Sequence, residues 1–344
     1  MKKYISTSDI AKKLGISPST VSRALNDNYK ISEKTRQLVK EYAKKVGYQK
    51  NLHAASLIQN STNIIGLVVP STTNYFLSRI VKGITSVLYD KGYELLIMQT
   101  NEDFNREMEI LSFLRSIRVD AIIYAPAHST HTFDHIEEII RSNLPFINYD
   151  RLIKLDCPKV LCDDKYGAKA ATQHLIDIGS KRIVHLGGPE HAMNAESRFE
   201  GYCNALKING FSLDMKLVFR TEFSIMNPNT MAAIDRIFKL TPLPDAIFSA
   251  NDELAIGCMK KARTLGLKIP ADIAFVGYDD DTFCQFMHPT LSTVKNKIFD
   301  MGVHTAKKCL LAVNDPEIPI ESLKLLPKLI IRGSSRKGTV LHYV

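Results

Sequence analysis

Residues 6–26 read STSDIAKKLGISPSTVSRALN, and this stretch predicts two short helices joined by a tight turn. Ser6 and Asp9 have the spacing of a capping box, in which two free backbone N–H groups are satisfied reciprocally. Gly15 stands where the first helix must stop, because glycine readily adopts the left-handed conformation found after helix ends. Ser17 is placed to cap the second helix. The connection has the length of the turn in a DNA-binding helix-turn-helix.

The second helix begins with Pro18, whose missing N–H group costs nothing at a first helical position. Its exposed face carries side chains that hydrogen-bond phosphates or base edges. These side chains are Ser19, Thr20, Ser22 and Arg23. An ordinary helical hairpin would also account for two short helices. The caps, the glycine and the hydrogen-bond donors all have the spacing that a helix-turn-helix requires. This agreement favours DNA binding over an ordinary hairpin.

A third helix is predicted from Glu33 to Val46, with Ser32 as its cap. Its apolar stripe is expected to consist of Leu38, Val39, Tyr42 and Val46. Residues 1–47 would therefore form an all-α helix-turn-helix head, followed by a hinge linker over residues 48–61. Two turns of helix in that linker would be too short to be stable alone in water.

Positive charge is concentrated in the predicted head. Residues 1–60 contain 12 Lys and Arg against 4 Asp and Glu, so they carry +8 of the chain's net charge of +9. A lysine-rich helix also serves solubility. Beside a helix-turn-helix, however, such an imbalance indicates a polyanionic partner, which here is duplex DNA. Phosphate contacts of this kind weaken steeply as the salt concentration rises.

The chain of 344 residues has room for two or three domains, and its apolar content of 45% and charged content of 24% are ordinary. No apolar run approaches the ~20 residues that span a bilayer, and MKKYISTSDI lacks the apolar stretch of a secretion signal. We therefore expect a cytoplasmic protein with no membrane partner. The six cysteines form no CxxC pair, so buried thiols are favoured over disulfides or metal ligands.

From Ile64 onward the pattern alternates between strands and helices, which predicts parallel, doubly wound α/β sheets covered on both faces. Predicted strands are Ile64–Val69, Glu94–Met98, Asp120–Tyr124, Phe146–Tyr149, Lys159–Cys162, Arg182–Leu186, Asp245–Ser249, Ile273–Gly277, Leu291–Val294 and Lys328–Ile331. Predicted helices are Phe76–Lys91, Asp103–Ile117, Lys165–Ile178, Ser197–Asn209, Pro228–Leu240, Asp252–Leu265 and Phe299–Val313.

These elements fall into two groups, which predicts a core over residues 62–344 with two lobes, more than one crossover and a hinged cleft. We expect the first lobe to hold about residues 62–162 and 292–322. The second lobe would hold about residues 163–291 and 323–344.

A series of motifs covers the whole chain in order. After residues 6–26 come ISEKTRQLVKEYAKKVGY, N-x-x-A-x-x-L over residues 51–57, IIGLVVPSTTNYF, GGPE followed by SRFEGY, FSANDELAIG, IPADIAFVGYDDD and HPTLSTV. Together they resemble the lac repressor (LacI/GalR) family of transcription regulators. The resemblance implies a helix-turn-helix head, a hinge helix and a core like periplasmic sugar-binding proteins. It also implies a homodimer or a dimer of dimers on palindromic operators, acting as a repressor by family habit.

By this resemblance, Pro18, Ser19 and Arg23 read bases, and Thr20 and Ser22 lie beside phosphates. Leu57 matches the hinge leucine that wedges into a minor-groove base step and bends the DNA. Lys50 stands where the family usually has proline before the hinge asparagine. The predicted DNA-binding residues are Ser6, Thr7, Ser17, Pro18, Ser19, Thr20, Ser22, Arg23, Asn26, Asn51, His53, Ala54 and Leu57.

The resemblance also places an effector site in the cleft. A polyol needs donors and acceptors matched to its hydroxyls and an apolar plate for its C–H face. Tyr75 and Phe76 would supply the plate, although the family commonly has Asn-Pro before its two aromatics. The predicted effector-binding residues are Asn74, Tyr75, Phe76, Asp150, Arg198, Asn251 and Asp279.

Several polar motifs have a second explanation. A carboxylate at a strand end also serves as a helix cap, and capping is favoured for Asp252 and Asp280. His128 and His131 have ligand-like spacing but no third ligand, so loop positions are favoured over a metal site. The Gly-Gly-Pro at residues 187–189 lacks the pattern of a phosphate-binding loop.

Two other classes of protein compete with an effector-controlled regulator. A sugar-transport component would have an export signal and no cationic head. An α/β enzyme would have a nucleophile elbow, a phosphate loop or a metal cluster. We therefore predict a regulator that is not an enzyme and has no cofactor or metal. Its partners would be operator DNA, a small effector of the sugar class and a second copy of the chain, as a dimer or tetramer.

Overall fold

The computed structural model describes residues 5–48, 61–71, 75–190 and 192–336, with Tyr75 described by its backbone alone. The chain divides into two compact units between Thr62 and Asn63. Within the described ranges, every helix is too short or too polar to cross a lipid bilayer.

The first unit contains the three predicted helices, α1 (Thr7–Leu14), α2 (Pro18–Leu25) and α3 (Glu33–Lys45). The capping box is confirmed, because the Asp9 N–H donates to Ser6 Oγ and the Ser6 N–H donates to the Asp9 carboxylate. Gly15 ends α1 in the left-handed region at φ 67°.

The second and third caps are confirmed as well, since Ser17 accepts from the Thr20 N–H and Ser32 accepts from the Thr35 N–H. The core of the unit consists of Ile10, Ala11, Val21, Ala24, Val39 and Ala43. The prediction for Leu38 was wrong, because 49% of it is exposed. Val39 and Ala43 lie four residues apart and face the other helices, which turns Leu38 toward solvent.

In the second unit, the first lobe is built on a six-stranded parallel sheet with strand order β11-β5-β4-β3-β1-β2. Its strands are β1 (Ile64–Val69), β2 (Glu94–Gln99), β3 (Ala121–Tyr124), β4 (Phe146–Tyr149), β5 (Lys159–Cys162) and β11 (Leu323–Leu325). Its helices are α4 (Tyr75–Leu88, followed by a 3-10 turn at Tyr89–Lys91), α5 (Phe104–Ser116), α6 (Asp134–Arg141) and α11 (Ile298–Asn314).

The second lobe repeats this plan with strand order β12-β10-β9-β8-β6-β7, in which only the pairing of β12 with β10 is antiparallel among the described strands. Its strands are β6 (Ile183–Gly187), β7 (Val218–Arg220), β8 (Ala246–Ser249), β9 (Ala274–Tyr278), β10 (Ser292–Lys295) and β12 (Lys328–Ile330). Its helices are α7 (Asp164–Asp177), α8 (Met193–Ile208), α9 (Pro228–Ile237) and α10 (Asp252–Thr264), with 3-10 turns at Met215–Leu217 and Thr282–Gln285.

All ten predicted strands are present, and their ends differ from the predictions by at most one residue. The pairing corrects the lobe boundaries, however. Strand β10 pairs with β9 in the second lobe instead of belonging to the first. Strand β11 pairs with β5 in the first lobe instead of belonging to the second. Periodicity identifies a strand but not its partner, so these assignments could not come from the pattern alone.

The chain therefore crosses between the lobes three times, after β5, after β10 and after β11. In the first sheet β1 lies between β2 and β3, and in the second sheet β6 lies between β7 and β8. The connections that leave the first strand and reach the third therefore run over opposite faces of the sheet. In such sheets ligands bind in the crevice beyond the carboxyl ends of the strands. Both lobes therefore have a possible ligand-binding position at the carboxyl ends of their strands.

Two glycines allow α4 and α11 to cross closely in the first lobe. A Cβ atom at Gly83 would lie 2.3 Å from the Phe299 carbonyl oxygen, and one at Gly302 would lie 2.4 Å from the Ile80 carbonyl oxygen. Both obstacles are backbone atoms, which cannot rotate away as a flexible side chain would. The packing of the two helices therefore requires glycine at both positions.

We expect Gly302→Ala to destabilise the core by about 1–3 kcal/mol, because overpacking outweighs the helix preference for alanine of about 1 kcal/mol. Thermal unfolding measures the change as a loss of several degrees in Tm. Lys307→Ala, at an exposed position of the same helix, is the control and should leave Tm nearly unchanged. A Gly302→Ala protein as stable as the parent would contradict the close crossing.

Candidate effector and DNA sites

A cavity of about 590 Å³ lies between the two lobes of the second unit. Residues from the loops after β1, β2, β3 and β4 line it on the first lobe. Residues after β7, β8, β9 and β10 line it on the second lobe, together with the start of α8. The polar members are Ser71, Glu102, His128, Asp150, Arg151, Asn194, Arg198, Glu222, Ser224, Asn227, Asn251, Glu253, Asp279, Asp281 and Asn296.

The structure brings five of the seven predicted effector-binding residues together in this cavity. They are Phe76, Asp150, Arg198, Asn251 and Asp279. Asn74 lies outside the described residues, as does the side chain of Tyr75. These five residues are up to 203 positions apart in the chain, and the cavity brings them together as the predicted cleft requires.

Arg198 is the most heavily engaged side chain of the cavity wall. Its Nε donates to Asp164 Oδ1 at 2.8 Å, its Nη1 to the Ala250 carbonyl oxygen at 2.5 Å and its Nη2 to Asp279 Oδ1 at 3.5 Å. The guanidinium carbon lies 3.9 Å from the ring centre of Tyr278. Burial alone would lower the pKa of Arg198, but Asp164 and Asp279 outweigh it and raise that pKa. The predicted fork onto ligand oxygens is thus partly occupied by the protein.

Two carboxylates beside Arg198 stand on unusual backbone. Asp150 has φ 59° and Asp279 has φ 104°, in a region that side chains rarely adopt. Burial raises the pKa of Asp150 to about 6 and also raises the pKa of Asp279, while Arg198 opposes both shifts. Strained backbone and perturbed carboxylates at one cleft are typical of a functional site.

Glu102 and Arg151 form a second ion pair on the first lobe. Arg151 Nη1 and Nη2 donate to the two carboxylate oxygens of Glu102, each at 2.8 Å. Arg151 Nη1 also donates to the Pro126 carbonyl oxygen at 2.9 Å. Burial would raise the pKa of Glu102, but its bonds with Arg151 prevail and lower it. This pair fixes the loops after β2, β3 and β4 against each other.

The predicted capping roles need correction. Asn251 caps α10 by accepting from the Leu254 N–H at 2.8 Å, and its Nδ2 donates to the Phe223 carbonyl oxygen at 2.7 Å. Asp252 is buried one residue later and accepts from Thr293 Oγ1 at 2.6 Å. Asn251 takes the cap because it holds the extended backbone of that position. Burial raises the pKa of Asp252 to about 8.

Asp280 is not a helix cap either, because it pairs with two cations. Its carboxylate accepts from Arg332 Nη2 at 2.6 Å and lies 3.4 Å from Lys295 Nζ. Asp252 and Asp280, which were both expected to be helix caps, therefore stabilise the second sheet instead. Asp252 does so by accepting a hydrogen bond from Thr293, and Asp280 does so by ion pairs.

Aromatic rings border the cavity from both lobes. Phe76 belongs to the first lobe, and Phe223 of the second lobe stacks on His128 of the first, with ring centres 5.9 Å apart. This stack crosses the cleft. His131 instead packs on Phe104, with ring centres 4.6 Å apart, and does not line the cavity.

The sequence reasoning missed most of the polar lining. The polar residues Glu102, Arg151, Asn194, Glu222, Glu253 and Asn296 were not predicted, and neither was the aromatic Phe223. The position of nearly all of them after a strand end was the available signal, because ligand sites in open α/β sheets lie at carboxyl ends. Asn194 was missed for another reason, since α8 begins four residues before the predicted start.

In the head, the predicted reading residues lie on the open face of α2. Ser19 and Arg23 are exposed, whereas Thr20 and Ser22 are half-buried. Ser17 Oγ lies 2.8 Å from both Ser19 Oγ and Thr20 Oγ1, so its hydroxyl serves the cap and a local network. The predicted hinge residues Asn51, His53, Ala54 and Leu57 lie outside the described residues, as does Lys50.

Comparisons with known proteins cover both units. The family model for bacterial regulatory proteins of the lacI family matches residues 6–51. The model for periplasmic binding proteins and the sugar binding domain of the LacI family matches residues 62–306. The HTH-type transcriptional regulator DegA of Bacillus subtilis (strain 168) is 32% identical over 333 residues, which are 95% of this chain and 97% of the relative.

The ribose operon repressor of the same strain is 32% identical over 329 residues, covering 96% of this chain and 98% of the relative. The crystal structure of the lac repressor dimer bound to operator and the anti-inducer ONPF has a TM-score of 0.84. Its identity is 24%, and the match covers 97% of this chain and 99% of that chain. This last likeness concerns the fold.

A helix-turn-helix head and a two-lobed core with a polar cleft define a DNA-binding regulator that carries a small-molecule sensor. The chain belongs to the LacI family of bacterial regulatory proteins. It is a DNA-binding transcriptional repressor with a sugar-binding domain, and the two relatives named above are a transcriptional regulator and an operon repressor, not enzymes.

We expect Arg198→Met to destabilise the core in a pH-dependent way. Breaking a buried ion pair costs about 3–5 kcal/mol when the remaining charges stay buried. A half-buried Asp279 or Asp150 whose pKa is raised above 3.8 favours the folded state when protonated, and this stabilisation is lost as the pH rises through the raised pKa. Without Arg198 both pKa values rise further, so the loss in Tm should be larger at pH 8 than at pH 5.

Thermal unfolding at pH 5, 6.5 and 8 measures this difference. Arg263→Met, at an exposed arginine near the end of α10, is the control and should show a small effect at every pH. An equal loss of Tm at pH 5 and pH 8 would show that the arginine does not compensate the buried carboxylates.

Proposed function

We propose that this repressor binds a palindromic operator as a homodimer in the cytoplasm, and that a sugar or sugar derivative in the interlobe cavity controls operator affinity. The observation that carries the proposal is the convergence of polar side chains from both lobes on one cavity of about 590 Å³. A cavity of this volume is in the range of small-molecule sites.

The head supports operator recognition. Arg23 is exposed in the last turn of α2, on a helix whose buried side is fixed by Val21 and Ala24. Arginine reads guanine through two parallel hydrogen bonds in the major groove. The charge of +8 over residues 1–60 supplies the phosphate contacts that hold such a helix against duplex DNA.

The cavity supports control by an effector. Its first-lobe wall offers Asp150 and Phe76, and its second-lobe wall offers Arg198, Asn251 and Asp279. A ligand bonded to both walls stabilises one relative position of the lobes over others. If that position alters operator affinity, DNA must alter effector affinity by the same factor.

The outer edge of the first sheet supports self-association. Strand β2 is the last strand of that sheet and leaves 40% of Ile97 exposed, and Tyr89 just before it is 83% exposed. Exposed apolar groups on an unpaired edge strand favour association. Analytical ultracentrifugation distinguishes the proposed dimer from a monomer and from a tetramer.

The decisive experiment is footprinting of the regulated promoter by the full chain, with and without a panel of sugars. We expect protection of two half-sites related by a twofold axis, and a change in affinity with at least one sugar that also raises Tm. Protection that no stabilising sugar alters would contradict effector control. Protection of a single half-site would contradict the dimer.

We expect Arg23→Ala to reduce discrimination between operator and altered operator by about 1–3 kcal/mol, because it removes a base contact. Competition titration at fixed salt concentration measures the ratio of affinities. Lys45→Ala, which removes the same charge from the exposed last turn of α3, should weaken both affinities and preserve their ratio. An unchanged ratio in Arg23→Ala would exclude a base-reading role.

A further inference from the structure

The interlobe cavity carries an excess of negative charge. Six carboxylates line it, against two guanidinium groups. The carboxylates are Glu102, Asp150, Glu222, Glu253, Asp279 and Asp281, and the guanidiniums are Arg151 and Arg198. The positive charge of Arg79 also acts to lower the pKa of Asp279 and Asp281. With this third cation included, the carboxylates still outnumber the positive charges two to one.

The two lining arginines are already engaged with the protein. Both terminal nitrogens of Arg151 donate to Glu102. Arg198 is shared between Asp164, which stands behind the cavity wall, and Asp279, which faces the cavity. An anionic ligand would therefore compete with existing carboxylates for each arginine and would face the remaining carboxylates as like charges.

The carboxylates of the cavity also act on each other. Burial raises the pKa of Asp150 to about 6, and the charges of Asp164 and Asp279 add to this shift while Arg151 and Arg198 oppose it. Burial and the charges of Asp279, Asp280 and Glu253 raise the pKa of Asp281 to about 6, although Arg79 opposes the shift. A cation placed among these groups would relieve the repulsion, whereas a neutral group would leave it.

Asn296 independently indicates a donor on the ligand. Only 4% of this residue is exposed, and it lines the cavity. Its Nδ2 donates to Asp279 Oδ1 at 3.1 Å, which fixes the orientation of the amide. Its Oδ1 is buried and has no hydrogen-bond partner among the described residues. A buried carbonyl oxygen without a donor is costly, so a ligand N–H or O–H group would be favoured there.

These observations distinguish between anionic, neutral and cationic sugars as candidate effectors. A uronate or sugar phosphate adds negative charge to the cavity. A neutral sugar supplies donors but leaves the carboxylates uncompensated. An ammonium group has three donors and no acceptor, and so matches carboxylates and a bare carbonyl oxygen.

We propose that the effector is an amine-bearing polyol of the amino sugar class, whose ammonium group binds beside Asp279 and Asp281 and whose donors reach Asn296 Oδ1. The inference rests on the proposed function, because it takes the interlobe cavity as the effector site. The apolar face of the ring lies against Phe76 or Phe223, and Asp150 completes the anionic surround from the first lobe.

The test uses the full chain and matched series of sugars. Glucose, galactose and mannose are each compared with the 2-amino, 2-acetamido and uronic acid forms by thermal shift and calorimetry. We expect at least one 2-amino sugar to raise Tm and to bind at least tenfold more tightly than its neutral and acetylated forms, while uronates do not bind.

Each outcome decides the inference. No stabilisation by any 2-amino sugar, or uronate binding as tight as amine binding, overturns it. If neutral sugars bind and alter operator affinity while amines do not, the inference fails and the proposed function stands. If no member of any series raises Tm, both fail.

A variant tests the placement of the ammonium group. Asp281→Asn removes one charge at nearly constant shape and should reduce the preference for the amine over its neutral form at least fivefold. Glu317→Gln, at an exposed carboxylate outside the cavity, is the matched control and should leave the preference intact. An unchanged preference in Asp281→Asn would overturn this placement.

The pH dependence gives a second readout with the parent protein. Protonation of Asp150 and Asp281 between pH 6.5 and pH 5, a range in which the amine of the sugar stays protonated, should weaken amine binding and leave binding of the neutral form nearly constant. The charged groups that bear on these two are Arg79, Arg151, Arg198, Asp164, Asp279, Asp280 and Glu253. If the affinity for the amine rose as the pH fell over this range, ionised carboxylates around the ammonium group would be contradicted.

Discussion

The cavity wall depends on the guanidinium of Arg198, which is shared by Asp164, Asp279 and the Ala250 carbonyl oxygen. These acceptors belong to the start of α7 and to the loops after β9 and β8, so one buried cation joins three connections of the second lobe. The ring of Tyr278 covers the guanidinium and limits its access to water. Without this cation, the half-buried carboxylates of Asp164 and Asp279 would repel each other where the effector is expected to bind.

The parallel sheets explain why so many polar groups converge. The central strands of a parallel sheet are apolar because both their faces are buried, so polar side chains collect where these strands end. Val69, Tyr149 and Tyr278 close their strands as buried residues, and polar residues follow in each loop. Two such sheets with their carboxyl ends at one cleft produce a polar cavity between apolar cores.

Local chemistry could be predicted from the sequence, and long-range partners could not. The caps Ser6, Ser17 and Ser32 depend on residues three positions away, and all three are confirmed. The lobe of β11 depends on β5, which lies more than a hundred residues earlier, and that prediction was wrong. The lobe of β10 was also predicted wrongly, because the pattern does not show whether the chain crosses to the other lobe before or after a strand. Motif matches placed Asp279 in the cavity, whereas its partner Asn296 has no motif of its own.

The three crossovers make each lobe discontinuous along the chain. The first sheet receives its edge strand only at Leu323–Leu325, and the second receives its own only at Lys328–Ile330. During synthesis, neither lobe has its full set of strands until these residues have left the ribosome. A nonsense mutation or a protease cut shortly before residue 323 would therefore strip both lobes at once and leave no intact half of the sensor.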